Sequence, residues 1–237
     1  HFEYAIGQLH LGRFSTPFLF AALLGFIVLV IVVKWLKNSV RIHKFTTQKF
    51  SFHFSFSQYF LILLALSFVI QFVVTLFETV FSIYGKDELG FNSNQVGIGF
   101  MLCGSIMAVL QPVFASYGEK ILSTKKQIGF GLFISGISLI VFPFFKNEFV
   151  VYGLIVVFAA GGAMVTPNLL SAVSLLSKTN TGRNISIQSS TNSIGQILGP
   201  ILGTWLVTGG FYYPFLIAGS IILVAIGFLI FLKKPPI

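Results

Sequence analysis

Ser67, Gln71, Thr75, Glu78 and Ser82 interrupt an otherwise apolar run from Tyr59 to Tyr84 at separations of 4, 4, 3 and 4. In a helix that spacing places all five on one stripe, turned away from any apolar surroundings. The run is long enough to span the roughly 30 Å hydrocarbon core of a bilayer. An ionised carboxylate is costly there, so Glu78 is expected to hold a proton until a cation approaches. That makes it a candidate proton-for-cation exchange site. The plainer role is a glutamate kept neutral by hydrogen bonds between helices, or one reaching the surface six residues away. Gln71 and Thr75, within two turns inward on the same face, would hydrogen-bond either a ligand or a neighbouring helix. Phe72, Phe77 and Phe81 flank the stripe, and aromatic faces hold cations and flat apolar molecules. With 29 phenylalanines in the chain, packing or lipid contact is the competing role for each.

A second polar set, Gln188, Asn192 and Gln196, recurs every four residues in the run from Ile185 to Val207. Gly195, Gly199 and Gly203 share that spacing, which lets helix backbones approach closely, and Pro200 frees a backbone carbonyl and permits bending. Packing or bending is read for the glycines and proline, and ligand contact for Asn192 and Gln196. Thr166-Pro167-Asn168 either interrupts a helix, exposing backbone and Asn168 to a ligand, or only kinks it. Met101 and Met107 are adaptable side chains that would fill core or meet varied ligands. His43 and His53 have no partner at metal-ligand spacing, and Cys103 is the only cysteine, so no metal site, disulfide framework or cofactor is expected. A Gly-rich phosphate loop, a His-Glu-x-x-His pattern and paired intramembrane acids are all lacking, which argues against an enzyme.

The elements that must position these residues follow from composition. Hydrophobic residues make up 55% of the 237 and charged ones 9%, and the apolar runs are continuous rather than alternating. The expected class is all-α and polytopic membrane. Seven spans are read: 17–35, Tyr59–Tyr84, Val96–Ser116, Ile128–Phe145, Phe149–Ser171, Ile185–Val207 and Tyr213–Leu232. Twelve basic residues fall on one side of that layout, and only Arg13, Lys86 and Lys146 on the other. The positive-inside rule then makes the C-terminus cytoplasmic. The net charge of +9 is thus a matter of membrane topology, and no nucleic-acid partner is expected. The lead 1–16 is read as an outer loop or the end of a preceding span. The basic segment 36–57 is read as a central cytoplasmic loop, 58–232 as a six-helix unit and 233–237 as a cytoplasmic tail. Because His1 opens the chain without an initiator methionine, it is expected to be a piece of a longer protein.

Phe14-Ser-Thr-Pro17-Phe18-Leu19-Phe-Ala21 matches Phe211-Tyr-Tyr-Pro214-Phe215-Leu216-Ile-Ala218 at an offset of 197. This is read as an internal repeat of a six-span unit in parallel orientation, although Phe and Leu are abundant enough for a chance match. The chain resembles the C-terminal half of a major facilitator superfamily transporter preceded by its sixth span. More narrowly, Leu76-Phe-Glu78-Thr79-Val-Phe-Ser82-Ile-Tyr84, Pro167-Asn168 and Gly195-Gln-Ile-Leu-Gly199-Pro200-Ile-Leu-Gly203 resemble bacterial multidrug:proton antiporters of the norfloxacin-efflux type. Such pumps can carry an acid and an arginine before the proline, where this chain has neutral Gly161 to Thr166. Tyr117-Gly118-Glu119-Lys120, read as a loop, only loosely matches the family's gating motif.

The resemblance implies a bacterial cell-membrane protein with an N-terminal half beyond this chain. It would export amphipathic, cationic compounds in exchange for protons by alternating access. The competing expectations are a proton-coupled importer of a sugar or other metabolite, and a membrane-embedded enzyme or non-transporting scaffold.

Overall fold

The computed structural model describes residues 4–6, 9–11, 15–35, 57–176 and 181–231. The basic segment 36–56, Lys178 and the tail 233–237 lie outside them. The chain divides into two compact units, His1–Phe54 and Ser55–Ile237. In the first, strands β1 (Tyr4–Ile6) and β2 (Leu9–Leu11) pair antiparallel, and helix α1 covers Ser15–Trp35. These paired strands lie in the lead 1–16, read from sequence as an outer loop or the end of a preceding span. Pro17 lies in the first turn of α1, where a missing N–H costs no helical bond.

The second unit is six helices: α2 (Gln58–Asp87), α3 (Ser93–Ile121), α4 (Thr124–Val141), α5 (Glu148–Leu175), α6 (Thr181–Val207) and α7 (Tyr212–Phe231). A short 3-10 turn, Phe142–Phe144, extends α4. Local chemistry sets their ends. Ser57 Oγ accepts from Phe60 N at 3.3 Å to open α2. Past its other end, Glu88 N and Leu89 N both donate to Tyr84 O at 2.9 and 3.1 Å, with Gly90 at φ +68° turning the chain. Asn92 and Gln95 bond each other's backbone at 3.0 and 2.9 Å, a capping box that starts α3 three residues before the apolar run. Asn147 Oδ1 accepts from Phe149 N and Val150 N to open α5.

Two expectations are corrected. Tyr117 to Lys120 continue α3 instead of forming a loop; the turn is only Leu122–Ser123. Helix α5 runs unbroken through Pro167, so no half-helix ends there. Thr166 Oγ1 donates to Gly162 O at 3.1 Å and Asn168 Nδ2 to Met164 O at 2.7 Å, the carbonyls on either side of the one the proline leaves free.

Among the described residues, six helices are long and apolar enough to cross a membrane. The 27-residue α6 is long enough but less apolar, because Ser, Thr, Asn and Gln fill its first half. Lipid supplies no hydrophobic drive between helices, so close contact must come from small residues and shape. Three seams supply it. A Cβ at Gly199 of α6 would meet Phe72 O at 2.6 Å and the Thr75 hydroxyl on α2. Gly131 of α4 and Gly161 of α5 face each other's carbonyls, as do Gly136 of α4 and Gly219 of α7. Between the seams lies an aromatic cluster. Phe77 has ring neighbours Phe158, Phe142, Phe81 and Phe215 at 4.7, 5.4, 5.6 and 6.3 Å. Lys146 bonds Glu88 at 2.6 Å at the surface, and the glutamate pushes the lysine above its ordinary pKa. Such an exposed pair adds little stability.

Candidate functional site

Glu78 sits about two and a half turns from the C-terminal end of α2, on the bundle surface. Among the described residues its carboxylate has no ion-pair partner. Lys86 and Asp87 are the only other charged residues of α2, both in its last turn, and α7 has none. The site is thus a lone acid on an exposed helical face with an uncharged interior behind it. Ser82, one turn on, is also exposed and donates its hydroxyl to Glu78 O at 3.2 Å.

The stripe divides as it runs inward. Ser67 is buried and accepts from Gln188 Nε2 of α6 at 2.9 Å. Thr75 donates to Gln71 O at 3.0 Å and also approaches Gly195 O of α6 at 3.5 Å. It belongs to the glycine seam more than to the open face. Gln71 is half-buried. On α6, Gln196 is exposed and Asn192 half-buried. Gly195, Gly199 and Gly203 are buried against α2, while Pro200, half-buried, stays within a continuous helix.

The structure does not bring the remaining candidates to an open surface. Phe72, Phe77 and Phe81 are 6%, 1% and 0% exposed, with Phe77 and Phe81 inside the aromatic cluster. Asn168 is buried and donates to Gln127 Oε1 at 3.0 Å. The cause is tertiary: α2 is covered by α6, α7 and α5, so residues flanking its polar stripe become core.

Two features escaped the sequence reading. Gln127, at the start of α4, donates to Leu122 O at 2.7 Å, accepts from Asn168 of α5, and packs over Gly118 of α3. It ties three helices together at one end of the bundle. No local pattern marks it, since Asn168 is 41 residues away. The other feature is an exposed face of α6 bearing Ser186, Ser189, Ser193 and Gln196. Its hydroxyls fold back onto carbonyls one turn earlier, as Ser186 to Gly182 O at 2.9 Å and Ser193 to Ser189 O at 3.0 Å. The separations of 3, 4 and 3 were available as a signal beside the Gln188 series.

The arrangement offers one titratable acid, uncharged hydrogen-bonding groups and little else, which suits binding and protonation, not bond-making chemistry. The family model described as Major Facilitator Superfamily matches residues 4–174 and 63–237. "Multidrug resistance protein 2" of Bacillus subtilis is 26% identical over 221 residues, covering 89% of this chain and 55% of that protein. "Tetracycline resistance protein, class B" of Escherichia coli is 26% identical over 201 residues, covering 79% and 48%. The chain therefore spans about half the length of these relatives. Among solved structures, a bacterial homologue of the human drug peptide transporters PepT1 and PepT2 superposes with a TM-score of 0.69 at 18% identity. That match covers 75% of this chain and 42% of the other.

Proposed function

The chain belongs to the Major Facilitator Superfamily, and from that premise we propose that it acts with a second six-helix half as a proton-coupled exporter of amphipathic, cationic compounds. It is a multi-pass membrane transporter protein, not an enzyme. The observation that carries the finer reading is Glu78, an acid on an exposed face of a membrane-spanning helix with no cation beside it among the described residues. A neutral carboxyl is tolerated there and an isolated carboxylate is not, so proton and cationic substrate compete for one site. Gln71 and Gln196 stand on the same two helices and would supply uncharged contacts. Phe72, Phe77 and Phe81 would act from behind, by fixing the helix that carries Glu78, while Asn168 would hold α5 to α4. The exposed serine face of α6 would look onto the other half or the aqueous path between halves. The names of the relatives favour export of drugs over uptake of metabolites.

Competition of this kind has a direct signature. Adding a cationic dye to the full-length protein in weakly buffered detergent is expected to release about one proton per dye bound, because a single acid exchanges. Glu78→Gln removes that release. Dye binding by the wild type without proton release would contradict the reading.

A further inference from the structure

Gln188 of α6 is 4% exposed, and its amide faces α2. Its Nε2 donates to Ser67 Oγ at 2.9 Å, yet its Oε1 is buried without a partner. One turn along the same face, Asn192 Oδ1 is likewise buried and unpartnered. An unpaired buried acceptor is costly, and here two lie one helical turn apart on one face of α6. Both are acceptors, so what satisfies them must donate. Water donates twice, and buried waters characteristically serve such groups.

The position of the pair gives it a use. Helices α2 and α6 run parallel, with Ser67 beside Gln188, Phe72 beside Gly195 and Leu76 beside Gly203. From Ser67, exchangeable groups on α2 climb one turn at a time through Gln71 and Thr75 to Glu78. We propose that water held by Gln188 and Asn192 in the α2–α6 seam forms the cytoplasmic leg of a proton route serving Glu78. This rests on the exchange role of Glu78 given above and on the orientation set by the basic loops.

The step is a relay. Glu78 gives its proton to an adjacent water, the hydronium formed passes a proton onward through the seam to the cytoplasm, and the carboxylate left behind pairs with the arriving cation. No fixed charge blocks the way. Between Ser67 and Glu78, α2 carries none; α6 has only Arg183 in its first turn, α5 only Glu148 at its start and α7 none. On α3, the stretch Ser93–Gly118 carries no charged residue.

The test is the double variant Gln188→Leu/Asn192→Leu in the full-length transporter, reconstituted in liposomes. Dye binding and dye-for-dye counterflow, which need no net proton movement, are expected to stay at wild-type level. Proton-driven efflux is expected to fall about tenfold or more, as for loss of a positioned proton carrier. Wild-type efflux with a raised Tm would overturn the proposal, because it would show the two acceptors to be only a packing cost. Radiolytic hydroxyl labelling of the wild type supplies a second measure that needs no variant. Phe72, 6% exposed beside Gly195 in this seam, should be modified rapidly despite its burial; labelling as slow as at Phe77 would overturn the proposal. Glu78→Gln separates the two levels. If it retains proton-driven efflux, both this route and the exchange reading fall, whereas an inactive Glu78→Gln beside a fully active double variant removes the route alone.

Discussion

Gly199→Val is expected to leave almost no folded protein. A Cβ at this position already meets Phe72 O at 2.6 Å, as well as the Thr75 hydroxyl and Leu76 N at 2.9 Å. Two of those three atoms belong to helix backbone and cannot rotate away. Overpacking a core that can shift costs about 1–3 kcal/mol, and here the whole α2–α6 seam must open, so the cost is expected to be about 3 kcal/mol or more. Separation of the helices would also strand the Gln188–Ser67 hydrogen bond. The measurement is the yield of monodisperse full-length protein by size-exclusion chromatography. Gly97→Ala is the control, since nothing lies within 4 Å of a Cβ there. Wild-type yield of Gly199→Val would show that the two helices are not held at the spacing described.

Phe77→Ala is expected to have the second largest effect, through packing and not through ligand contact. Phe77 is 1% exposed, and its ring meets four others from α2, α5, α7 and the 3-10 turn. In water such a truncation costs about 3–5 kcal/mol, part of it from apolar transfer. Between helices already in lipid that part shrinks, while the lost dispersion contacts remain, so about 2–3 kcal/mol is expected. A thermal melt of the detergent-solubilised protein reads this as a lowered Tm. Phe149→Ala, at a ring 84% exposed, should leave the Tm unchanged. If Phe77→Ala melts like the wild type and instead loses dye affinity, the ring lines a pocket and its packing role is minor.

The helices were legible because each is a long apolar run, and period and length survive any error about partners. Their ends were less so. Asn92 and Gln95 begin α3 before its apolar stretch, and Glu119 and Lys120 extend it beyond, since helical hydrogen bonding does not stop where hydropathy does. The polar stripe of α2 was visible from spacing alone, but its division into a seam and an open face was not. That division comes from α6, more than a hundred residues away, whose Gln188 holds Ser67 and whose glycines meet Thr75 while Glu78 stays uncovered. For the same reason Phe72, Phe77 and Phe81 read as flanking a site and are placed in the core. Pro167 shows the limit from the other side. A proline removes one helical hydrogen bond, yet α5 continues through it, held by the helical bonds on either side.

The central claim is that Glu78 couples proton movement to substrate movement. It is tested most directly by reconstituting full-length Glu78→Gln in liposomes and following dye efflux under an imposed pH gradient. The account predicts that gradient-driven efflux is abolished, while expression and monodispersity match the wild type. Undiminished efflux that still depends on the pH gradient would contradict it.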